Sequence, residues 1–290
     1  HKWHARRRRE RLFVLPELTI PQVAVPLTLG LSVGTFGAMV GIGGGILLVP
    51  VLLVLFPGVE PSAITSMSLT AVILNALSAT TGYRKRRWQD TRTGFVLVAA
   101  AVPAAILGAF LTRSVDRGGF EMIFGIALIL GAVYLIIRGK DLPDVTEPSP
   151  TGSPRHLVDR DGNIYIYRVR ESLAAAIAVL AGLIAAFFGI GGCIINVPVM
   201  MLVLKMPAKM SIATSQLELM IASFAAVAVH LVSTFGEWTP WVFGLVLGVG
   251  SFSGAQVGVR LAGRASGRAV LMLIAGILLV SGTRQIMNAL

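Results

Sequence analysis

Apolar residues run in long, nearly unbroken stretches separated by short polar turns, and the alternation typical of strands is not sustained over any length. The pattern predicts helices over 22–40, 62–82, 93–112 and 119–138, with a short piece at 46–56. A polar interval follows. The pattern then restarts with a helix over 172–188, a short piece at 193–204, and helices over 211–234, 240–262 and 268–288. Apolar runs of about 17 to 25 residues suit helices that cross a hydrocarbon layer of ~30 Å.

The order of long and short pieces is the same on both sides of the interval, and the residues match as well. GIGGGILLVP (41–50) aligns with GIGGCIINVP (189–198), AITS (63–66) with IATS (212–215), and FGIALILGAVYLI (124–136) with AGILLVSGTRQI (275–286). The offset grows only from 148 to 151 residues along the chain, so the chain is read as an internal duplication. The expected fold class is an all-α integral membrane protein of two homologous helical repeats. Each repeat has a glycine-broken helix and half-helix followed by three transmembrane helices. The units are a basic N-terminal arm (1–21), a first repeat (22–138), a polar linker (139–171) and a second repeat (172–290).

The linker contains the proline- and serine-rich DLPDVTEPSPTGSPR, then HLVDRDGNIYIYRV, which suits a small hairpin about its Asp-Gly-Asn turn. Asp159, Asp161 and Asn163 have some of the spacing of a calcium loop. Gly162 is out of place for one, however, and Arg170 stands where the bidentate glutamate belongs.

Composition agrees with a membrane chain: of 290 residues, 55% are hydrophobic and 13% charged, against roughly 25% charged in soluble domains. The net charge of +11 is concentrated in KWHARRRRER near the start, in YRKRRWQDTR at 83–92, and at Arg260, Arg264 and Arg268. Basic clusters beside apolar spans fit the positive-inside bias and attraction to anionic lipid headgroups, and nucleic acid is not an expected partner. The first apolar run of the arm, LFVL, stops at Pro16 and Glu17, which reads as an uncleaved arm. A single cysteine, Cys193, makes no intrachain disulfide, and Cys and His show no metal-ligand spacing; neither a metal nor a cofactor is expected.

The unusual feature is the pair of glycine clusters. Glycine costs about 1 kcal/mol inside a helix relative to alanine, so four in five positions should break one. In hydrocarbon, broken backbone is tolerated only inside protein or along a water-filled cavity. The piece after the first break, 46–56, is about 16 Å long, roughly half the hydrocarbon thickness. Its freed amides at Gly43 to Ile46 would carry partial positive charge at membrane depth, which suits an anion. Pro50 and Pro198 stand early in the two half-helices, where no amide partner is needed. Interrupted helices at matching places in two halves point to a transporter's binding site, although small residues also serve close helix packing.

The paired GIGGG-x-x-x-VP segments, each followed about 15 residues later by a Thr-Ser pair, resemble the TauE/SafE family of sulfite exporters and related anion permeases, over residues 22–288. The resemblance implies a transporter of two homologous halves in the cell membrane that moves sulfite, sulfonates or similar small oxyanions. The candidate substrate-binding residues are Gly41, Gly43, Gly44, Gly45, Ile46, Thr65 and Ser66 in the first half. In the second they are Gly189, Gly191, Gly192, Cys193, Asn196, Thr214, Ser215 and Gln216. The Thr, Ser and Gln side chains offer neutral donors; taken alone, each better suits helix capping or a bond to the preceding turn.

Asn75 is a further amide in apolar surroundings. Asn196 aligns with Leu48, so the site is expected to be asymmetric. Glu218, the one acid well inside a predicted span, either carries a coupling proton or pairs with Arg260. Cys193 replaces a glycine of the first repeat, where smallness is the apparent requirement. Against a transporter stand an intramembrane serine hydrolase, suggested by GSFSG (250–254) with His230, and a non-transporting scaffold. GSFSG does not match the nucleophile turn, and a scaffold leaves the doubled breaks without a reason. The basic residues divide almost evenly under parallel or inverted halves; inversion is favoured because it brings the two breaks face to face.

Overall fold

In a computed structural model the described residues are 20–56, 59–138, 151–191, 193–233, 238–262, 264 and 267–289. The first half contains α1 (Ile20–Val40), the short α2 (Gly45–Leu55), α3 (Pro61–Lys85), α4 (Thr91–Leu111) and α5 (Arg117–Arg138). A two-stranded hairpin, β1 (Ser153–Val158) and β2 (Ile164–Val169), follows. The second half contains α6 (Glu171–Phe188), the short α7 (Cys193–Leu202), α8 (Ala208–Ser233), α9 (Trp238–Ala262) and α10 (Gly267–Ala289). Eight of these helices are long and apolar enough to cross a membrane: α1, α3, α4, α5, α6, α8, α9 and α10. Residues 1–19 of the basic arm and residues 139–150 of the linker lie outside the described residues, and the last two residues of the arm begin α1.

Close helix contacts fix the direction of each element. Gly250, Gly254 and Gly258 of α9 lie against the carbonyls of Leu27, Leu31 and Thr35 of α1, so α1 and α9 run parallel. Gly244 packs on Met67, Gly248 on Leu74, and Gly82 on Val259, so α3 runs with them. In the same way Gly182 meets Ala101, and the Thr112 hydroxyl donates to the Phe187 carbonyl at 2.8 Å, making α6 parallel to α4. Gln89 donates to Thr80 and Ala213, while Val72 and Leu219 share a level, so α3 and α8 are antiparallel. The second half therefore runs opposite to the first. The halves also interlock: α1 packs most extensively on α9 of the other half, and α6 on α4. The last helices, α5 and α10, pack chiefly on each other, antiparallel, with Gly125 against Gly282.

The hairpin is clamped to one end of this bundle. Asp90 caps α4 by accepting from the Thr93 amide at 3.0 Å, and it also accepts from Arg155 Nε at 3.1 Å and the Tyr167 hydroxyl at 3.0 Å. Burial and the adjacent Asp90 carboxylate hold the Tyr167 hydroxyl far above its usual range, so it remains a donor. In the turn, Asp159 Oδ1 accepts from the amides of Asp161 and Asn163 at 2.9 Å each, an Asx turn, while Oδ2 accepts from Asn163 Nδ2 at 2.9 Å and the Tyr165 hydroxyl at 3.3 Å.

Replacing Gly254 with Leu is expected to force α1 and α9 apart and to cost about 1 to 3 kcal/mol or more. Gly276→Leu serves as the comparison, because a side chain there meets nothing within 4 Å. Unfolding of the two variants in one detergent checks this, and equal stabilities would refute the close packing.

Candidate substrate site at the paired helix breaks

Each long first helix of a half ends near the middle of the bundle, and its glycines turn the chain back. Gly44 adopts φ +85° and Gly191 φ +74°, backbone that a side chain rarely adopts. A Cβ on Gly43 or on Gly191 would overlap the Leu219 side chain, so this one leucine, at the midpoint of α8, wedges between the two turns. Val72, at the midpoint of α3, touches both from the other side. The turns also meet directly, with Gly45 against the Ile190 backbone. From this meeting point α2 and α7 run to opposite ends: the C-terminal carbonyls of α2 accept from Arg117 at the start of α5, whereas α7 leads toward Lys209, beside Tyr165 of the hairpin.

The backbone of the breaks is satisfied in a specific way. The amides of Gly41, Ile42 and Gly43 all donate to the Gly37 carbonyl, at 2.9, 2.9 and 3.1 Å. Gly43 is thus not a freed donor, contrary to the expectation from sequence. The amides without an acceptor among the described residues begin at Gly44 and continue through Gly45 and Ile46, the first turn of α2. In the second half Gly189 and Ile190 donate to the Ala185 carbonyl. Gly192 lies outside the described residues, and Cys193 begins α7. Each half closes the other's break: Ser215 of α8 donates to the Gly41 carbonyl at 3.1 Å, and Ser68 of α3 donates to the Gly189 carbonyl at 2.7 Å.

Of the other candidates, Thr65, Ser66, Thr214, Ser215 and Gln216 are all buried close to these turns. Thr65 and Ser66 donate back to the Ser62 carbonyl, and Ser215 also donates to the Ile212 carbonyl. Thr214 accepts from the Asp90 amide at 3.0 Å, which links the hairpin clamp to the site helix. These hydroxyls are all engaged with backbone. Gln216 donates to the Gly37 carbonyl at 3.4 Å, and its Oε1 is buried without a partner.

Glu218 is fully buried and pairs with Asn196, whose Nδ2 donates to Oε2 at 2.8 Å. The pairing with Arg260 does not form; Arg260 is exposed near the end of α9. Asn75 supports packing by donating to Gly34 and Ser251. Ser253 of GSFSG sits on an exposed helix position and donates to the Val249 carbonyl. Among the described residues no group of His, Cys, Asp and Glu is placed to hold a metal ion. Gly37, Ser68, Val72 and Leu219, which shape the breaks, were not predicted from sequence. The repeat alignment carries the one signal that pointed near any of them, since the Thr-Ser pairs it matches stand two residues before Ser68 and four before Leu219.

A cavity of about 240 Å³ adjoins the second break. It is walled by α5, α6, α7 and α10, with Phe124, Leu128, Phe188 and Pro198 in its lining, and it reaches the backbone of Ile190 and Gly191.

Eight helices of spanning length around two short ones whose N-termini meet at mid-bundle make the architecture of a multi-pass membrane transporter. Comparison with known proteins agrees. The family model described as Sulfite exporter TauE/SafE matches residues 27–284. The chain is 30% identical over 266 residues to the probable membrane transporter protein YunE of Bacillus subtilis, covering 90% of this chain and 96% of that protein. It is 24% identical to a probable membrane transporter protein of Xylella fastidiosa, covering 86% and 88%. With the probable membrane transporter protein MJ0441 of Methanocaldococcus jannaschii it shares 27% identity, covering 71% and 68%. No solved structure matches. The chain belongs to the TauE/SafE family and is a membrane transporter.

Replacing Gly191 with Ala is expected to cost about 1 to 3 kcal/mol of stability, because it combines a strained φ with displacement of Leu219. Gly44→Ala, which also meets Val33 Cγ1 at 2.7 Å, should cost a similar amount. Thermal unfolding in detergent measures both, and values equal to the unaltered protein would remove the proposed constraint.

Proposed function

We propose that this protein is a secondary transporter for a small oxyanion, such as sulfite or an organosulfonate, working by alternating access in the cell membrane. The observation that carries the reading is the meeting of Gly45 with Ile190. It brings the N-terminal ends of two half-helices, one from each half, to one place at membrane depth, where partial positive charge and free amides suit an anion. Neutral donors from Thr65, Ser66, Ser215 and Gln216 complete the ligand set by turning from their backbone acceptors. Neutral contacts favour an anion that must also leave.

Six helices, α1, α3, α4, α6, α8 and α9, interlock through both halves, whereas α5 and α10 form a flanking pair. The cavity beside Gly191 lies in the seam between that pair and the rest. Opening of the seam alternates access. The turn at Arg84 to Arg87, the hairpin, Lys205, Lys209, Arg260 and Arg268 share one end of the bundle, which the positive-inside bias assigns to the cytoplasm. The exposed clusters also suit anionic lipid headgroups.

In proteoliposomes, labelled sulfite or a small sulfonate is expected to cross with saturable kinetics, and acetate more slowly. Gly44→Val and Gly191→Val should reduce that flux at least tenfold, about 1.4 kcal/mol, in protein that remains folded. Passage of none of sulfite, sulfate, sulfonate and acetate, or unchanged flux in both folded variants, would reject the reading.

A further inference from the structure

The two halves differ most sharply at one buried pair. By the alignment of the repeats, Asn196 stands where the first half has Leu48, and Glu218 stands where it has Leu69. All four are buried. The first half thus has two leucines at positions where the second has an amide and an acid that are bonded to each other at 2.8 Å. The pair is only half satisfied: Asn196 Oδ1 and Glu218 Oε1 are both buried without a partner.

A buried carboxylate is costly unless a cation or proton attends it. The helices packed against α8 supply no cation here among the described residues. α1 carries no ionisable side chain; those of α3, Tyr83, Arg84 and Lys85, are in its last turn. Arg92 is at the start of α4, Glu171 at the start of α6 and Cys193 at the start of α7. On α8 itself Lys209 and His230 lie toward the two ends. A metal cation would want about six oxygens, and this pair has two without a partner, whereas a proton needs one.

We infer that Asn196 and Glu218 form a proton-coupling site, in which Glu218 Oε1 takes a proton from water on one side of the membrane and yields it to water on the other as the anion crosses. This rests on the anion reading above. The link to that site is Leu219, the next residue, which is wedged between Gly43 and Gly191. A second negative charge near an occupied anion site is disfavoured, so anion and proton bind together and move in the same direction. Asn196 orients the carboxyl by holding Oε2.

The full chain in proteoliposomes, with labelled methanesulfonate and an imposed pH gradient, tests this. One coupled proton corresponds to about tenfold accumulation on the alkaline side per pH unit. E218D is expected to keep a response to the gradient. E218Q and N196L/E218L, the latter restoring the apolar pair of the first half, are expected to lose it. Undiminished accumulation in folded E218Q, or accumulation driven by a sodium gradient in its place, would overturn the inference. A second measurement stands apart from transport. The infrared carbonyl band of a protonated carboxylic acid, assigned by its loss in E218Q, should rise and fall with pH in the unaltered protein. A band that is missing or indifferent to pH overturns the proton site, whereas failure of the protein to move any anion overturns the anion reading.

Discussion

A peptide group stranded in hydrocarbon without a hydrogen-bond partner costs several kcal/mol, and a chain that breaks two helices at membrane depth must answer that cost. Here the answer is supplied partly within each half and partly across the halves. The Gly37 carbonyl gathers three successive amides, and the Gly41 and Gly189 carbonyls are taken by Ser215 and Ser68, each from the opposite repeat. Each half thus takes up its own amides at the break and relies on the other for its carbonyl. The arrangement of the other helices follows from this requirement: α3 and α8 must cross beside each other at their midpoints, where Val72 and Leu219 fill the space between the turns.

The inverted interlocking serves the same end. Helices gain nothing from the hydrophobic effect against one another in lipid, so close contact of backbones becomes the main source of cohesion. The glycine stripe of α9 lets its backbone reach that of α1, and Gly108 and Gly182 do the same between α4 and α6. Each first helix is therefore held by the partner half along its length while its end dissolves into a turn. At the hairpin end the buried Arg155–Asp90–Tyr167 cluster adds a polar anchor, and the Asp90 amide passes it on to Thr214.

Helix positions were legible because hydrophobic runs and glycine clusters are local signals; the predicted spans differ from the observed ones by a few residues at each end. Direction was not legible from charge, because the basic residues divide almost evenly between the two orientations; it was legible only through the requirement that the two breaks meet, which favours the inversion observed. The polar contacts of the site were legible as residue types but not as partners. Thr65 and Ser66 offer donors in sequence, and the bond to the preceding turn that each suits on its own is the one they make, to the Ser62 carbonyl. Leu219 and Val72 carry no chemistry to notice, and only the folded contact between halves gives them a place. For Glu218, pairing with Arg260 was one of two readings open in the sequence; the partner is instead a neutral amide on a half-helix.

When two copies of a unit fold around each other in opposite directions, matching positions occupy equivalent surroundings on the two sides of the bundle. Leu48 and Leu69 show what those surroundings ask for on packing grounds alone, namely two apolar side chains. A polar pair at the matching positions cannot be explained by the fold, because the same fold is satisfied without it a few helices away. The first repeat thus acts as an internal control for the second, and the difference between them separates what Asn196 and Glu218 contribute to architecture from what they contribute beyond it.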